Sequence, residues 1–203
     1  MTKDRQERMH PVGVWRVLTG AAVLVALASC FAIPIKRSGA GPAASRDPCS
    51  DTHRQFGMED ESAQCPTTIP DDVAAILLKD DRVRETLGYE DLPANKLPAS
   101  WVMASEVHLA KRSEKDLVVM GRGMLLGANV TAFWVFKSVD GAHQLVLRGT
   151  ASDLEIVKER WNGHSNINLV KVAQGVIYTT TFRFDGKRYQ EFRQSEKEVR
   201  PGS

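Results

Sequence analysis

Three cysteines and five histidines carry the widest range of chemistry in this chain, and their spacing limits what they do. Cys49 and Cys65 flank a polar stretch, while Cys30 lies inside an apolar run. An even pair outside that run reads as a disulfide in an oxidising compartment. Closing such a loop stabilises a fold by roughly 3 kcal/mol in the chain-entropy model. A metal pair or two free thiols are the alternatives, but no CxxC and no neighbouring histidine pair supports metal. His10, His53, His108, His143 and His164 are scattered without metal-ligand spacing. There is no G-x-S-x-G elbow, H-E-x-x-H, Walker loop or EF-hand loop. Gly121-Arg122-Gly123 reads as a turn, and Asp71-Asp72 as the acidic start of a helix. The sequence therefore assigns no catalytic residue, no metal and no cofactor.

Large aromatic residues are the other candidates. Phe133-Trp134-Val135-Phe136 is apolar at four consecutive positions, and Leu117-Val118-Val119-Met120 behaves alike. Successive strand residues point to opposite faces, so both faces of these segments need cover. The plain structural reading is a central strand packed by a sheet on one side and helices on the other. The functional reading is an open apolar patch with Trp134 as its anchor. Trp161, beside Arg160 at the Asn162-Gly163 turn, reads either as a rim aromatic for a saccharide or protein, or as a cap over the core end.

What positions these residues begins with a leader. Lys3, Arg5, Arg8 and Arg16 precede an uncharged run over residues 17–35. As a helix it would reach about 28 Å, close to a bilayer's hydrocarbon core. Basic residues ahead of the run favour a cytoplasmic N-terminus and an exported remainder; Lys36 and Arg37 weaken that bias without reversing it. Leu27-Ala28-Ser29-Cys30 resembles the lipobox of bacterial lipoproteins, which implies lipidation of Cys30. The segment after it, Phe31-Ala32-Ile33-Pro34-Ile35, is more apolar than the tether expected there. An uncleaved signal anchor, and cleavage near Ala43-Ala44-Ser45, are the other two fates.

Residues 1–35 thus form a leader, 36–48 a Gly/Ala/Ser/Pro-rich linker, 49–100 a disulfide-braced segment with short helices, 101–193 a β domain, and 194–203 a disordered tail. Pro70-Asp71-Asp72 opens the helical stretch, and Val73, Ile76, Leu77, Val83 and Leu87 give it an apolar face. Lys79-Asp80-Asp81 allows a split into two helices, and Gly88 is the expected stop. From residue 101 the period becomes two. Strands are expected near 101–109, 116–120, 130–137, 144–147, 154–161, 167–172, 176–184 and 188–192. Asp140-Gly141, Asn162-Gly163 and Asp185-Gly186 mark hairpins. The last joins a strand whose Tyr178, Thr180, Phe182 and Phe184 share one face, with Thr179, Thr181 and Arg183 on the other.

An internal repeat is also visible. A polar–aliphatic strand (115–119), an aromatic strand (133–136) and Asp140-Gly141 are matched by 166–170, 182–184 and Asp185-Gly186. Duplication of a β-meander or chance would each produce this. The run Asp116-Leu117-Val118-Val119-Met120-Gly121 resembles the strand of the FG-GAP repeat of β-propeller proteins. That family's calcium carboxylates are absent from Lys111-Arg112-Ser113-Glu114-Lys115, so the likeness implies no metal site, and two units do not close a propeller. The cysteine segment and β region together resemble uncharacterised exported, lipoprotein-like envelope proteins of Gram-negative soil bacteria.

The expected fold is α+β: an N-terminal membrane helix, a short helical cap, then a mainly antiparallel sheet of about eight strands as a sandwich or incomplete barrel. A net charge of +2 with interleaved signs excludes a nucleic-acid partner. The expected function is a membrane-tethered extracytoplasmic binding or interaction module, held by the N-terminal helix or a lipid. Its partner would be an envelope protein or a saccharide, and it would sit in the periplasm or outside the cell. A cell-envelope hydrolase with a dispersed active site and a structural envelope protein are the rival functions.

Overall fold

Two short amphipathic helices lead into the sheets. α1 (Asp71–Leu77) follows Pro70, whose fixed φ and missing N–H suit a helix start. α2 (Asp81–Tyr89) starts at Asp80, whose carboxylate accepts the Arg82 N–H. The split between them therefore falls where Lys79-Asp80-Asp81 allowed it. Val73, Leu77, Val83 and Leu87 are buried, as their spacing requires.

The computed structural model describes Cys49, residues 54–111 and residues 113–199. The leader, the linker and Cys30 lie outside the described residues, so the membrane helix and the lipidation site do too. Among the described residues, no helix is long and apolar enough to cross a membrane.

Among the described residues, nine strands form two antiparallel sheets. One is the meander β2 (Val102–Val107), β3 (Asp116–Gly121), β4 (Thr131–Val139) and β5 (Ala142–Ala151). The other runs in the order β1-β6-β7-β8-β9, from β1 (Arg54–Gly57), β6 (Asp153–Trp161), β7 (His164–Ala173), β8 (Val176–Phe184) and β9 (Tyr189–Glu198). Each sheet thus contains four consecutive hairpin-connected strands, an arrangement that agrees with the repeat seen in the sequence.

A core of both sheets' inner residues, among them Val118, Phe133, Val135, Leu154, Ile167 and Phe184, makes this a sandwich rather than an incomplete barrel. A second core lies on the far side of the four-stranded sheet. There Ala132, Trp134 and Phe136 meet Val73, Leu77, Val83 and Leu87 of the helices. β4 is therefore covered on both faces, which is why its sequence does not alternate.

The sheets approach closely at Gly149, where a Cβ would collide with Leu169 Cδ1. Asp116 is fully buried yet satisfied: its two oxygens accept the Leu109 and Ser138 N–H groups, each at 2.9 Å. Burial pushes its carboxyl above the ordinary range.

The disulfide joins Cys49 to Cys65. Beyond Cys65 the chain is strapped to β2 through the Glu106 N–H to the Cys65 carbonyl and the Thr67 N–H to the Ala104 carbonyl.

Several sequence expectations need correction. The cysteine-bounded segment holds a strand, β1, which pairs with β6. Its two buried residues are Arg54 and Phe56, and with one of them charged no hydrophobic period announced it. Residues 194–198 are not a disordered tail, because β9 runs to Glu198 with Gln194 opposite Thr180. Its side chains there are polar throughout, and pairing with β8 supplies the order. The Asp185-Gly186 connection is a four-residue loop, since Phe184 opposes Tyr189. The Asp185 carboxylate accepts the Lys187 and Arg188 N–H groups, and these bonds, with that from Gln190, bring its pKa to about 2. Asp140-Gly141 and Asn162-Gly163 are two-residue turns with positive φ at both positions. Gln174-Gly175 is a third such turn, which its glutamine disguised.

Candidate binding face on the five-stranded sheet

The helices cover the outer face of the four-stranded sheet; no described element covers the outer face of the five-stranded one. Alternation about the buried Ile167, Leu169 and Phe184 and the partly buried Phe182 sends Asn166, Asn168, Thr181 and Arg183 to the opposite face. A polar ladder crosses it: Thr181 Oγ1 donates to Asn168 Oδ1 at 2.9 Å, and Asn168 Nδ2 donates to Glu155 Oε2 at 3.2 Å.

At one end stands an aromatic–cation pile. The Arg183 guanidinium lies 4.7 Å from the Trp161 ring centroid and 3.3 Å from that of Phe192. Trp161 and Phe192 are each about half exposed, at 48% and 52%. Phe192 reaches this position through a β-bulge. Thr181 opposes Arg193 and Phe182 opposes Glu191, which leaves Phe192 as the extra residue. Beneath the pile, Arg183 Nε and Asn166 Oδ1 are buried without a hydrogen-bond partner. Held between two rings, the guanidinium loses little freedom when it meets a ligand, and each ring contact contributes about 0.5–1 kcal/mol.

Three surface residues were candidates from the sequence, and one of them lies on this face. Trp161 does. Trp134 does not: it is 1% exposed, and its indole N–H donates to Asp80 at 2.9 Å. It anchors the helical layer to the sheet, so the covered-strand reading of residues 133–136 is the one the packing supports. Arg160 opposes Ser165 and donates to the Ala110 and Gly163 carbonyls, which ties two loops together. Arg183 was placed on the correct face by alternation, but its partners were invisible. Phe192 was missed as a site residue, because only the bulge turns it there.

The described histidines do not gather. His108 Nδ1 meets the Glu114 carbonyl at 2.7 Å. His164 Nδ1 meets the Asn162 carbonyl at 2.9 Å, and the ring packs 4.2 Å from that of Phe184. His143 pairs with Asp72: its backbone N–H and Nδ1 lie 2.7 and 3.0 Å from Oδ2. Burial alone would raise the Asp72 carboxyl, but the bonds from His143 and Val73 hold it below the ordinary range. Ser138 is the cross-strand partner of His143. No hydrogen bond joins their side chains among the described residues. His53 lies outside them.

The opposite end of the five-stranded sheet carries an acidic cleft of about 630 Å³ rimmed by Glu59, Asp60 and Asp153. Burial and the neighbouring Glu155, Asp60 and Glu59 raise the Asp153 carboxyl. No group of metal-holding residues occurs among the described residues. No protein-family model, no curated protein and no solved structure matches this chain.

Proposed function

We propose that this is an extracytoplasmic binding module, tethered to a membrane by its leader, that engages its partner through the outer face of the five-stranded sheet. The observation that carries this is the Trp161–Arg183–Phe192 pile, half exposed on a sheet face that no described element covers. Exposed aromatics and a pre-set arginine are the residue types that concentrate binding energy. The disulfide agrees with an oxidising compartment.

A specific observation keeps a hydrolase as the second reading. Asp72 holds His143 Nδ1 as a triad carboxylate would, with Ser138 opposite on the neighbouring strand. The same contacts are what docks α1 onto β5.

Co-sedimentation of the full-length protein with isolated envelope material separates the two. A binding module predicts that Trp161→Ala and Arg183→Gln weaken retention about tenfold or more. His108→Ala, His143→Ala and His164→Ala would leave it intact. Labelling of Ser138 by a fluorophosphonate, abolished by His143→Ala, would overturn the binding reading in favour of the hydrolase. Incorporation of labelled fatty acid that depends on Cys30 would select the lipoprotein tether over the signal anchor.

A further inference from the structure

The charges of β9 are sorted by face. Thr181, Thr179 and Ile177 of β8 oppose Arg193, Ser195 and Lys197, so these three share the open face with Arg183. Glu191, Glu196 and Glu198 oppose Phe182, Tyr178 and Val176, and so belong to the other face. Over the β7–β9 half of the open face the charged residues are Arg183, Arg193 and Lys197, and no carboxylate stands among them. The acidic residues of the face, Asp153 and Glu155, lie on β6. No ion pair engages any of the three cations among the described residues, whereas Asp80 and Glu106 elsewhere each hold a basic partner.

The three cations define a strip about 20 Å long at the rise of an extended strand. Between and beside them stand Asn168, Thr179, Thr181 and Ser195, with Val170, Val172 and Ile177 on the same face. Trp161 closes the strip at the Arg183 end, with about half of its surface open.

The geometry points to a linear saccharide bearing carboxylates on its repeating units as the ligand of this face. This rests on the binding-face reading above and names the class of molecule that the face takes. Arg183 presents a planar donor fork that matches a carboxylate, and its ring neighbours hold the fork in place. Arg193 and Lys197 meet later carboxylates along the chain. Thr179 and Ser195 meet sugar hydroxyls, and the free part of Trp161 meets the apolar face of a pyranose ring. Charge complementarity decides against a neutral glycan. The exposed Trp161, Phe192 and Val172 would also enter an acyl layer, so anionic vesicles stand beside the saccharides as the competing ligand.

The test is a titration of the full-length protein in detergent with oligogalacturonate and oligoalginate, against a neutral oligogalactan and anionic phosphatidylglycerol vesicles. Binding of at least one uronate oligomer is expected, with weakening as salt rises and no detectable binding of the galactan. Arg183→Gln should weaken it tenfold or more, and Arg193→Gln with Lys197→Gln severalfold. Trp161→Phe, which keeps a ring, should retain more affinity than Trp161→Ala. Folding of each variant is checked by its near-UV circular dichroism. Equal binding of galactan, or binding to vesicles alone, overturns the anionic-saccharide assignment and leaves the binding face standing. So does an absence of binding to every oligomer while envelope co-sedimentation still depends on Trp161. Uronate binding indifferent to all of these substitutions overturns both.

Discussion

Asp80 is the residue on which the helical layer turns. It begins α2, accepts the Trp134 indole N–H, and receives Arg148 Nη2 at 3.0 Å. Burial alone would raise its carboxyl. The bonds from Arg148 and Trp134 outweigh that and hold it below the ordinary value of 3.8. A carboxyl lowered in the folded state stabilises above its unfolded pKa and loses that contribution as pH falls through the folded value. Asp80→Asn should therefore destabilise the protein at neutral pH by on the order of 2 kcal/mol. Urea unfolding across pH checks this: the gap from the parent should close as pH falls below about 3.8. Gly149 gives a second expectation. A methyl group there meets Leu169, so Gly149→Ala should lower stability by roughly 1–3 kcal/mol, read from the denaturation midpoint.

Among the elements, β1 and β9 are where sequence and structure part. Both are short of inward apolar residues, and both gain order by pairing with a strand that has its own hydrophobic period. Residues 176–184 were legible to their exact ends because Phe182 and Phe184 alternate with Thr181 and Arg183. The helices were legible because Val73, Leu77, Val83 and Leu87 repeat at helical spacing. The candidate site was legible only in part. Trp161 stood beside a turn signal, and alternation placed Arg183, but a one-residue bulge has no local signature and it decides where Phe192 points. Two element-level outcomes follow. Truncation after Arg193 removes the pairing of residues 194–198 and should cost about 1–3 kcal/mol, the lost ladder bonds at about 1 kcal/mol each being partly offset by the chain entropy regained. Cys49→Ser with Cys65→Ser should cost about 3 kcal/mol, with greater amide exchange in β1 than in β7.

At the scale of the molecule, one sheet is asymmetrically dressed. The four-stranded sheet is sealed by the inner core on one side and the helices on the other, so the aromatic run that most resembled a docking patch became a second core. The five-stranded sheet shares the inner core but keeps its far face open, and there the exposed aromatics and unpaired cations collect. The most direct measurement places a photo-crosslinking amino acid at positions 161, 192 and 195 of the open face, and at the exposed positions Glu85 and Tyr89 of the helical layer, in living cells. Adducts are expected from the first three and none from the other two. Adducts confined to 85 and 89, with none from 161, 192 or 195, would overturn the open face as the docking surface.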